Sequence, residues 1–228
     1  MCGRYKLSRA DKAQLAEHFG IDAAEIPDHA DEIDNAPGSV RFAIDIENGE
    51  RKWTAMRWGF VAEIDGRRQL VFNAKAESMR IPRWRAILRN RCIIPASGFF
   101  EWQKVNGKPG AKFEITVPGE PVFGFAGLFD DLPNPRTREM ERTFWIITTA
   151  PNARFAALHN RQPVILDPAE YEEWLTSPQP PLHLLRVFPA EKMLITQLSG
   201  APEPKPKARK ARAQEPLLPG LFDEMDSV

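Results

Sequence analysis

The sequence is poor in cysteine and histidine and carries no excess charge of either sign. Its 228 residues include two cysteines, Cys2 and Cys92, which allow one disulfide but exclude a disulfide framework. The cysteines and the four histidines lack the spacing of metal ligands, so we expect neither a metal site nor a cofactor. Basic and acidic residues number 31 each, so any nucleic-acid site must arise from local clustering of charge.

Long apolar segments are also lacking. No stretch approaches the roughly 20 apolar residues of a membrane-spanning helix. The first residues, MCGRYKLSRADK, do not contain the apolar run of a signal peptide. We therefore expect a cytoplasmic protein in a reducing compartment, with no membrane partner.

A change in composition near residue 200 divides the chain into two parts. Residues 1–200 show no clean internal break and no repeat, and we predict that they form one domain. The segment that follows, APEPKPKARKARAQEP, is rich in Pro, Lys, Arg and Ala and contains no apolar run. Such a segment cannot offset the entropy lost on ordering, so we predict that residues 201–228 form a disordered basic tail.

Two helix signals are present in the first 200 residues. Ser8 is placed to cap a helix that carries apolar residues at helical spacing and ends at Gly20, with Asp11 three residues after the cap. Asp167 followed by Pro168 is typical of a helix N-cap with proline in the first turn. Both predicted helices are short.

Strand signals are more numerous. Asn48-Gly49 between alternating segments predicts a hairpin, and Pro118-Gly119 predicts a second one within FEITVPGEPVFGFAGLF. RTFWIITTA is a further strand, and RCIIPASGFFEW is a buried strand that Pro95 interrupts. The pattern predicts an α+β fold, mostly antiparallel, with a few short helices.

Cys2 has the most distinctive chemistry. Removal of Met1 leaves a free α-amine and a thiol on adjacent carbons, and such a 1,2-aminothiol condenses with an aldehyde to a five-membered thiazolidine. The α-amine has a reference pKa of about 7.7–8.0, so part of it is neutral near neutral pH, whereas a lysine amine with a reference pKa of about 10.4 is not. Taken alone, a cysteine at position two is also compatible with chance.

Three further residues are candidates whose local sequence leaves two interpretations open. Glu101, between large aromatics, is either a functional carboxylate or a strand residue that faces solvent. His159 is suited to proton transfer or is a structural histidine near a helix end. Asn73 ends an apolar strand and either binds a sugar or phosphate or caps a turn.

Basic and aromatic residues suggest a nucleic-acid surface. The segment SMRIPRWRAILRNRC contains five arginines around Trp84, which is typical either of a phosphate-tracking surface or of a solvated helix face. Trp58, after Arg57, is either a base-stacking wedge or a core residue.

Six motifs occur in a fixed order along residues 1–200. They are MCGR, WGF, FNAKAES, RCIIPASGFFEW, FWIITTAPN and LHNRQPVIL. In this order they resemble the SOS response-associated peptidase (SRAP) family, the abasic-site processing proteins. The resemblance implies mostly antiparallel, strongly curved β-sheets with a few short helices.

The resemblance also implies a function and a set of site residues. Members of this family bind single-stranded DNA and trap the ring-opened abasic sugar as a thiazolidine, which protects the site during the response to DNA damage. The covalent role falls on Cys2, and further catalytic roles fall on Asn73, Glu101 and His159. Glu101 would assist deprotonation of the amine and reversal of the link, and His159 would assist opening of the deoxyribose ring.

DNA contacts follow from the same resemblance. Arg4 and Arg161 correspond to phosphate contacts and Trp58 to a base-stacking wedge. Lys75 stands where the family usually has arginine, which keeps the charge but loses the bidentate fork. Gln162 stands where methionine is common, and Gly38 where threonine is common.

We expect a monomer that associates with the nucleoid when DNA is damaged. A Schiff-base lyase side reaction is expected when the thiol does not close the ring. The word peptidase fits one cleavage, the removal of Met1 by this protein or by a cellular aminopeptidase. In the tail, QEPLLPGLF resembles peptides that bind sliding clamps, through Leu221 and Phe222.

Two other functions remain open from the sequence. One is a thiol peptidase with an N-terminal nucleophile, which would cleave peptides and ignore DNA aldehydes. The other is a noncovalent module for single-stranded DNA, whose binding would not depend on Cys2.

Overall fold

The computed structural model describes residues 2–8, 12–27, 32–105, 108–134 and 137–199. The strands are β1 Tyr5–Leu7, β2 Glu32–Asn35, β3 Val40–Glu47, β4 Glu50–Trp58, β5 Phe60–Ile64, β6 Arg67–Val71, β7 Asn73–Lys75, β8 Arg91–Ala96, β9 Gly98–Val105, β10 Lys108–Thr116, β11 Phe123–Pro133, β12 Met140–Thr149, β13 Gln162–Pro163, β14 Ile165–Leu166 and β15 Leu194–Ser199. The α-helices are α1 Lys12–Phe19, α2 Pro82–Ile87 and α3 Tyr171–Thr176. Short 3-10 helices span Ala23–Glu25, Ala76–Arg80, Phe155–Ala157, Pro168–Glu170, Leu182–Leu184 and Ala190–Lys192.

Five strands form a closed ring. The order in the larger sheet is β13-β12-β4-β3-β8-β11-β14, and the additional pairing of β11 with β12 closes β12, β4, β3, β8 and β11 into a small barrel. The pairings within the ring are antiparallel except that of β12 with β4, and β7 joins β12 from outside in parallel. The predicted class, α+β and mostly antiparallel with few short helices, is confirmed.

The barrel separates two apolar clusters. Its interior holds side chains from all five strands, including Trp58, Cys92, Phe125 and Phe144. The second cluster lies on the outer surface, where apolar residues of the three helices pack against strands of the ring. This division follows from the strand alternation, because successive side chains point to opposite faces of a sheet.

A second sheet, in the order β15-β10-β9-β1-β2, carries the first residues of the chain. Strand β1 is an interior strand, with Tyr5 opposite both Phe99 of β9 and Asn35 of β2. The chain passes from the barrel to this sheet at Ser97, between β8 and β9, where the Ser97 hydroxyl accepts a hydrogen bond from the backbone N–H of Ser8 at 2.8 Å. The N-terminal residues are thereby held against the barrel.

Several local predictions are confirmed. Asn48 and Gly49 connect β3 to β4 with φ of 53° and 83°, the backbone of a tight hairpin turn. Helix α1 ends at Phe19, followed by Gly20 at φ 58°. Asp167 caps the Pro168–Glu170 helix in a capping box with Glu170.

Other local predictions are wrong. Pro118-Gly119 does form a turn, but β10 and β11 on either side belong to different sheets, so these two strands do not pair as the predicted hairpin. Strand β8 runs through Pro95 and ends at Ala96, because Pro95 lies beyond the Ile93 pairing with β3, where that edge needs no donor. The Ser8 hydroxyl accepts a hydrogen bond from the Ser97 hydroxyl, and residues 9–11, which its predicted cap would bond, lie outside the described residues. Asp11 and the tail, including Leu221 and Phe222, lie outside the described residues.

The two cysteines are not joined to each other. Cys2 and Cys92 are both buried free thiols. Within the described ranges, no group of three or more His, Cys, Asp and Glu side chains could hold a metal ion. No helix in the same ranges is long and apolar enough to cross a membrane.

Gly59 fixes the path between the barrel and the residues that precede Asn73. Its φ is 83°, and a Cβ at this position would lie 2.7 Å from the carbonyl oxygen of Val71. Gly49 has the same φ of 83°, but a Cβ there would meet no atom within 4 Å. We expect Gly49→Ala to cost about 1–2 kcal/mol from the left-handed backbone alone, and Gly59→Ala to cost about 1–3 kcal/mol more from overpacking.

Urea denaturation of both variants measures the difference. Equal losses of unfolding free energy at the two positions would show that the close approach of Val71 to Gly59 contributes nothing.

Candidate active site

Cys2 lies at the start of the second sheet with no exposed surface. Its carbonyl oxygen accepts a hydrogen bond from Asn73 Nδ2 at 3.1 Å, and its thiol points to the carbonyl oxygen of Arg4 at 3.9 Å. Burial raises the pKa of the Cys2 thiol, and the negative charge of Glu101 raises it further. The sulfur is therefore a neutral thiol at neutral pH.

Glu101 lies on the inner face of β9 and is only 7% exposed. It pairs with Phe113 of β10, and its charge acts on the Cys2 thiol. The interpretation of Glu101 as a solvent-facing strand residue is therefore wrong. A buried carboxylate beside the N-terminal residues can accept a proton there, because an ionised carboxylate gains from any nearby donor in such surroundings.

Asn73 reaches the same place from the barrel. It opens β7, opposite Ile146 of β12, so it is a strand residue and not a helix cap. Its Nδ2 holds the Cys2 carbonyl, while its Oδ1 is buried and meets no hydrogen-bond donor among the described residues. The Asn73 carboxamide thus holds the backbone of Cys2 through Nδ2, while its Oδ1 remains available as a hydrogen-bond acceptor.

His159 follows the Phe155–Ala157 helix and is half-buried. Its Nδ1 accepts a hydrogen bond from the backbone N–H of Arg161 at 3.0 Å. The ring of Phe155 packs on Phe99 of β9 at 5.8 Å between centroids, two residues before Glu101. The loop that carries His159 is thus packed against the strand that carries Glu101.

The three predicted phosphate contacts have different surroundings. Lys75 is exposed on β7. Arg4 Nη1 donates to Asp34 Oδ2 at 2.6 Å. Arg161 donates from both terminal nitrogens to Glu77, at 2.8 Å each, and from Nη2 to the carbonyl oxygen of Thr148 at 2.5 Å. Two of the three cations are therefore already paired with carboxylates.

Trp58 is not placed to stack on a base. It has no exposed surface, lies parallel to Phe144 inside the barrel, and donates from Nε1 to the carbonyl oxygen of Phe72 at 2.9 Å. Its role in this structure is to support the residue before Asn73. The predicted wedge is thus a core residue, which is the second of the two interpretations that its sequence allowed.

The arginine-rich segment around Trp84 is divided between buried and exposed residues. Trp84 is 3% exposed and packs on Trp145. Arg91 is 5% exposed and donates to carbonyl oxygens of Leu88 and Ser177, so it joins β8 to the end of α3. Trp84 and Arg91 are therefore structural, whereas Arg80, Arg85 and Arg89 are exposed.

Two residues that the sequence does not mark as functional hold the His159 loop in place. The backbone N–H of Asn152 donates to Gln162 Oε1 at 2.7 Å, and Asn152 Oδ1 accepts from the N–H of Phe155 at 2.8 Å. Both side chains also donate to the carbonyl oxygen of Phe188. The signal in the sequence is the polar Gln162, directly before the apolar residues 163–166, at a position where the family resemblance leads one to expect methionine.

Comparisons with known proteins identify the family of this chain. The family model for SOS response associated peptidase (SRAP) matches residues 1–201. The chain is 31% identical over 210 residues to the abasic site processing protein YoaM of Bacillus subtilis (strain 168), covering 87% of this chain and 91% of that protein. It is 28% identical over 183 residues to the abasic site processing protein YedK of Escherichia coli (strain K12), covering 77% and 79%.

A solved structure provides the corresponding evidence for the fold. The crystal structure of a protein from Bacteroides thetaiotaomicron matches with a TM-score of 0.69 and 26% identity, covering 87% of this chain and 92% of that one. The match of a family model over nearly the whole described chain, together with these relatives, shows that the chain belongs to the SOS response associated peptidase (SRAP) family.

Proposed function

We propose that this protein, once Met1 has been removed, captures abasic sites in single-stranded DNA through a thiazolidine on Cys2. The observation that carries the proposal is the position of Cys2, whose carbonyl is held by Asn73 beside the buried carboxylate of Glu101. The names of the family members, abasic site processing proteins, support DNA as the substrate.

The reaction joins two groups of one residue to a single carbon. The neutral α-amine of Cys2 adds to the aldehyde carbon of the ring-opened sugar, and loss of one water gives an imine. The Cys2 sulfur then bonds to the imine carbon while the thiol proton passes to the nitrogen. Because the buried thiol is protonated, sulfur and proton enter the ring together and no external oxidant or reductant is needed.

The neighbouring residues have separate tasks in this reaction. Glu101 accepts the proton that the α-ammonium must lose before it can attack. Asn73 fixes the Cys2 backbone through Nδ2, and its buried Oδ1 is available to orient the amine. His159 donates a proton to the sugar oxygen as the deoxyribose opens, while Arg4 and Lys75 contact the phosphates.

The imine can also react in a second way that competes with ring closure. When the sulfur does not add, the imine activates the sugar for loss of the 3′ phosphate, which is the lyase side reaction. In reversal the nitrogen proton returns to the sulfur as the C–S bond breaks to give the same imine. Water then adds to the imine carbon, and Glu101 returns a proton to the nitrogen as the amine leaves.

The proposal is tested by mixing the protein with single-stranded DNA that contains one abasic site. Protein with Met1 removed and protein with Met1 retained are compared on denaturing gels and by intact mass. We expect an adduct with the mass of protein plus DNA less one water, formed only by the trimmed protein. A tetrahydrofuran analogue of the site, which has no aldehyde, and duplex DNA are the controls.

The alternatives give different results in the same experiment. Noncovalent retention of the DNA by both forms, with no adduct, would leave a binding module. Turnover of peptides with no response to the aldehyde would indicate a thiol peptidase.

A further inference from the structure

Glu77 lies on the rim of the candidate site and is not one of the four proposed catalytic residues. It belongs to the 3-10 helix Ala76–Arg80, which follows directly from the strand that carries Asn73. Its two carboxylate oxygens each accept a hydrogen bond at 2.8 Å from one terminal nitrogen of Arg161. This two-point geometry is the strongest arrangement of an arginine with a carboxylate and fixes the guanidinium plane.

Arg161 is held by more than the ion pair. Its Nη2 also donates to the carbonyl oxygen of Thr148 in β12 at 2.5 Å, and the side chain is only 15% exposed. The Arg161 side chain therefore joins β12 to the helix after β7. Glu77 and Arg161 are 84 residues apart in sequence, and their contact joins the segment that follows Asn73 to the loop that bears His159.

The backbone of Arg161 acts on His159. Its N–H donates to His159 Nδ1 at 3.0 Å. A backbone N–H can only donate, so Nδ1 must present its lone pair, and the neutral ring carries its proton on Nε2. The position of Arg161 thus decides which ring nitrogen of His159 can give a proton to a substrate.

We propose that Glu77 is a positioning residue for the proposed reaction: by clamping Arg161 it keeps the backbone N–H of that residue on Nδ1 of His159 and leaves Nε2–H as the proton donor. The inference rests on the proposed function, in which His159 protonates the sugar oxygen. It gives Arg161 a structural task in addition to any contact with phosphate.

The charge state of Glu77 favours its pairing with Arg161. The hydrogen bond from Arg161 lowers the pKa of Glu77, and the positive charges of Arg161 and Lys75 lower it further. A carboxylate with a lowered pKa keeps its pairing above the ordinary glutamate pKa of about 4.3 and loses it as the pH falls through the lowered value. The pair of Glu77 with Arg161 is therefore intact at neutral pH.

The first test reads the ring of His159 without any DNA chemistry. Nitrogen-15 NMR of the histidine rings, with the His159 signals assigned from a His159→Gln variant, distinguishes the protonated ring nitrogen from the unprotonated one. We expect one form with the proton on Nε2 in the wild type and a mixture of both tautomers in Glu77→Gln. Glu172→Gln breaks the pair of Glu172 with Arg51, which is 2.7 Å long and elsewhere on the surface, and should leave the His159 signals unchanged.

The second test separates positioning from binding. At saturating single-stranded abasic DNA we expect Glu77→Gln to form the adduct about 10-fold more slowly, because a small displacement of a catalytic group costs this much or more. The affinity for unmodified single-stranded DNA should change less than about 2-fold, and the thermal unfolding midpoint should match that of Glu172→Gln. Glu77→Asp, which keeps the charge, should recover part of the rate.

The outcomes are distinct from those that test the proposed function. Wild-type tautomer and wild-type rate in Glu77→Gln would overturn the positioning role. Tighter DNA binding by Glu77→Gln with an unchanged tautomer would also overturn it, since Glu77 would then compete with phosphate for Arg161. Failure of the wild type to form an adduct would remove the proposed function, while the NMR result would still decide what Glu77 does to His159.

Discussion

Replacement of Cys2 by serine is expected to abolish the adduct that survives denaturation and to leave an imine that borohydride can trap. Serine keeps the α-amine, so the first bond to the aldehyde carbon still forms. Its hydroxyl is a much poorer nucleophile than sulfur, so the ring does not close stably and the imine hydrolyses during denaturation. The measurement is a denaturing gel of trimmed protein with abasic DNA, run with and without borohydride.

Cys92 provides a matched control for this substitution. It is the second buried free thiol, it lies inside the barrel, and burial raises the pKa of its thiol as well. Cys92→Ala should retain the resistant adduct. A resistant adduct in Cys2→Ser without borohydride would show that the sulfur of Cys2 is not part of the link.

Replacement of Glu101 by glutamine is expected to slow adduct formation at neutral pH by about 100-fold to 10,000-fold, the usual contribution of a positioned general base. Glutamine has nearly the same shape but cannot take the proton from the α-ammonium. It also removes the carboxylate that raises the pKa of the Cys2 thiol, although burial, the larger cause, remains. The rate is measured by quenching at timed intervals on denaturing gels.

The dependence of this rate on pH provides a second measurement. In Glu101→Gln the loss should shrink as the pH rises through the reference pKa of the α-amine, about 7.7–8.0, because the amine then loses its proton to solvent. Glu114→Gln is the control, since Glu114 on the adjacent strand pairs with Lys6 at 2.5 Å. An unchanged rate for Glu101→Gln at neutral pH would exclude the carboxylate from the reaction.

Glu101 also shows what the sequence could and could not predict. The alternation of residues 99–102 correctly indicated that Glu101 points away from Phe100 and Trp102. It did not reveal that both faces of β9 are covered. Lys112 lies over the rings of Phe100 and Trp102, at 4.1 and 5.4 Å from their centroids, on one face, while Glu101 is buried on the other. Burial depends on what packs against a strand, and that is not local information.

The wrong and missing predictions have the same origin. The strands on either side of Pro118-Gly119 have the sequence of a hairpin, but each finds better partners in a different sheet. Trp58 follows an arginine, as a base-stacking residue could, but it is completely buried in the core. Short-range features such as the Asn48-Gly49 turn and the Asp167 cap were predicted correctly, because their geometry depends only on adjacent residues.

The candidate site itself could be predicted only through the order of the motifs. Cys2, Asn73, Glu101 and His159 are each compatible with an ordinary structural role when read alone. The hydrogen bond of Asn73 to Cys2 spans 71 residues, and the clamp of Glu77 on Arg161 spans 84. Contacts of this separation leave no periodicity or spacing in a single sequence.

The interior position of β1 has a consequence for folding during synthesis on the ribosome. Tyr5 is paired on one side with Asn35 but on the other with Phe99, which is synthesised much later. At about 5–20 residues per second, the wait for β9 is roughly 5–20 s, and a lone pair of short strands is not stable in the meantime. Throughout that interval the first residues of the chain lack the complete sheet, in which Cys2 has no exposed surface. Translation therefore sets the earliest moment at which Cys2 can be enclosed.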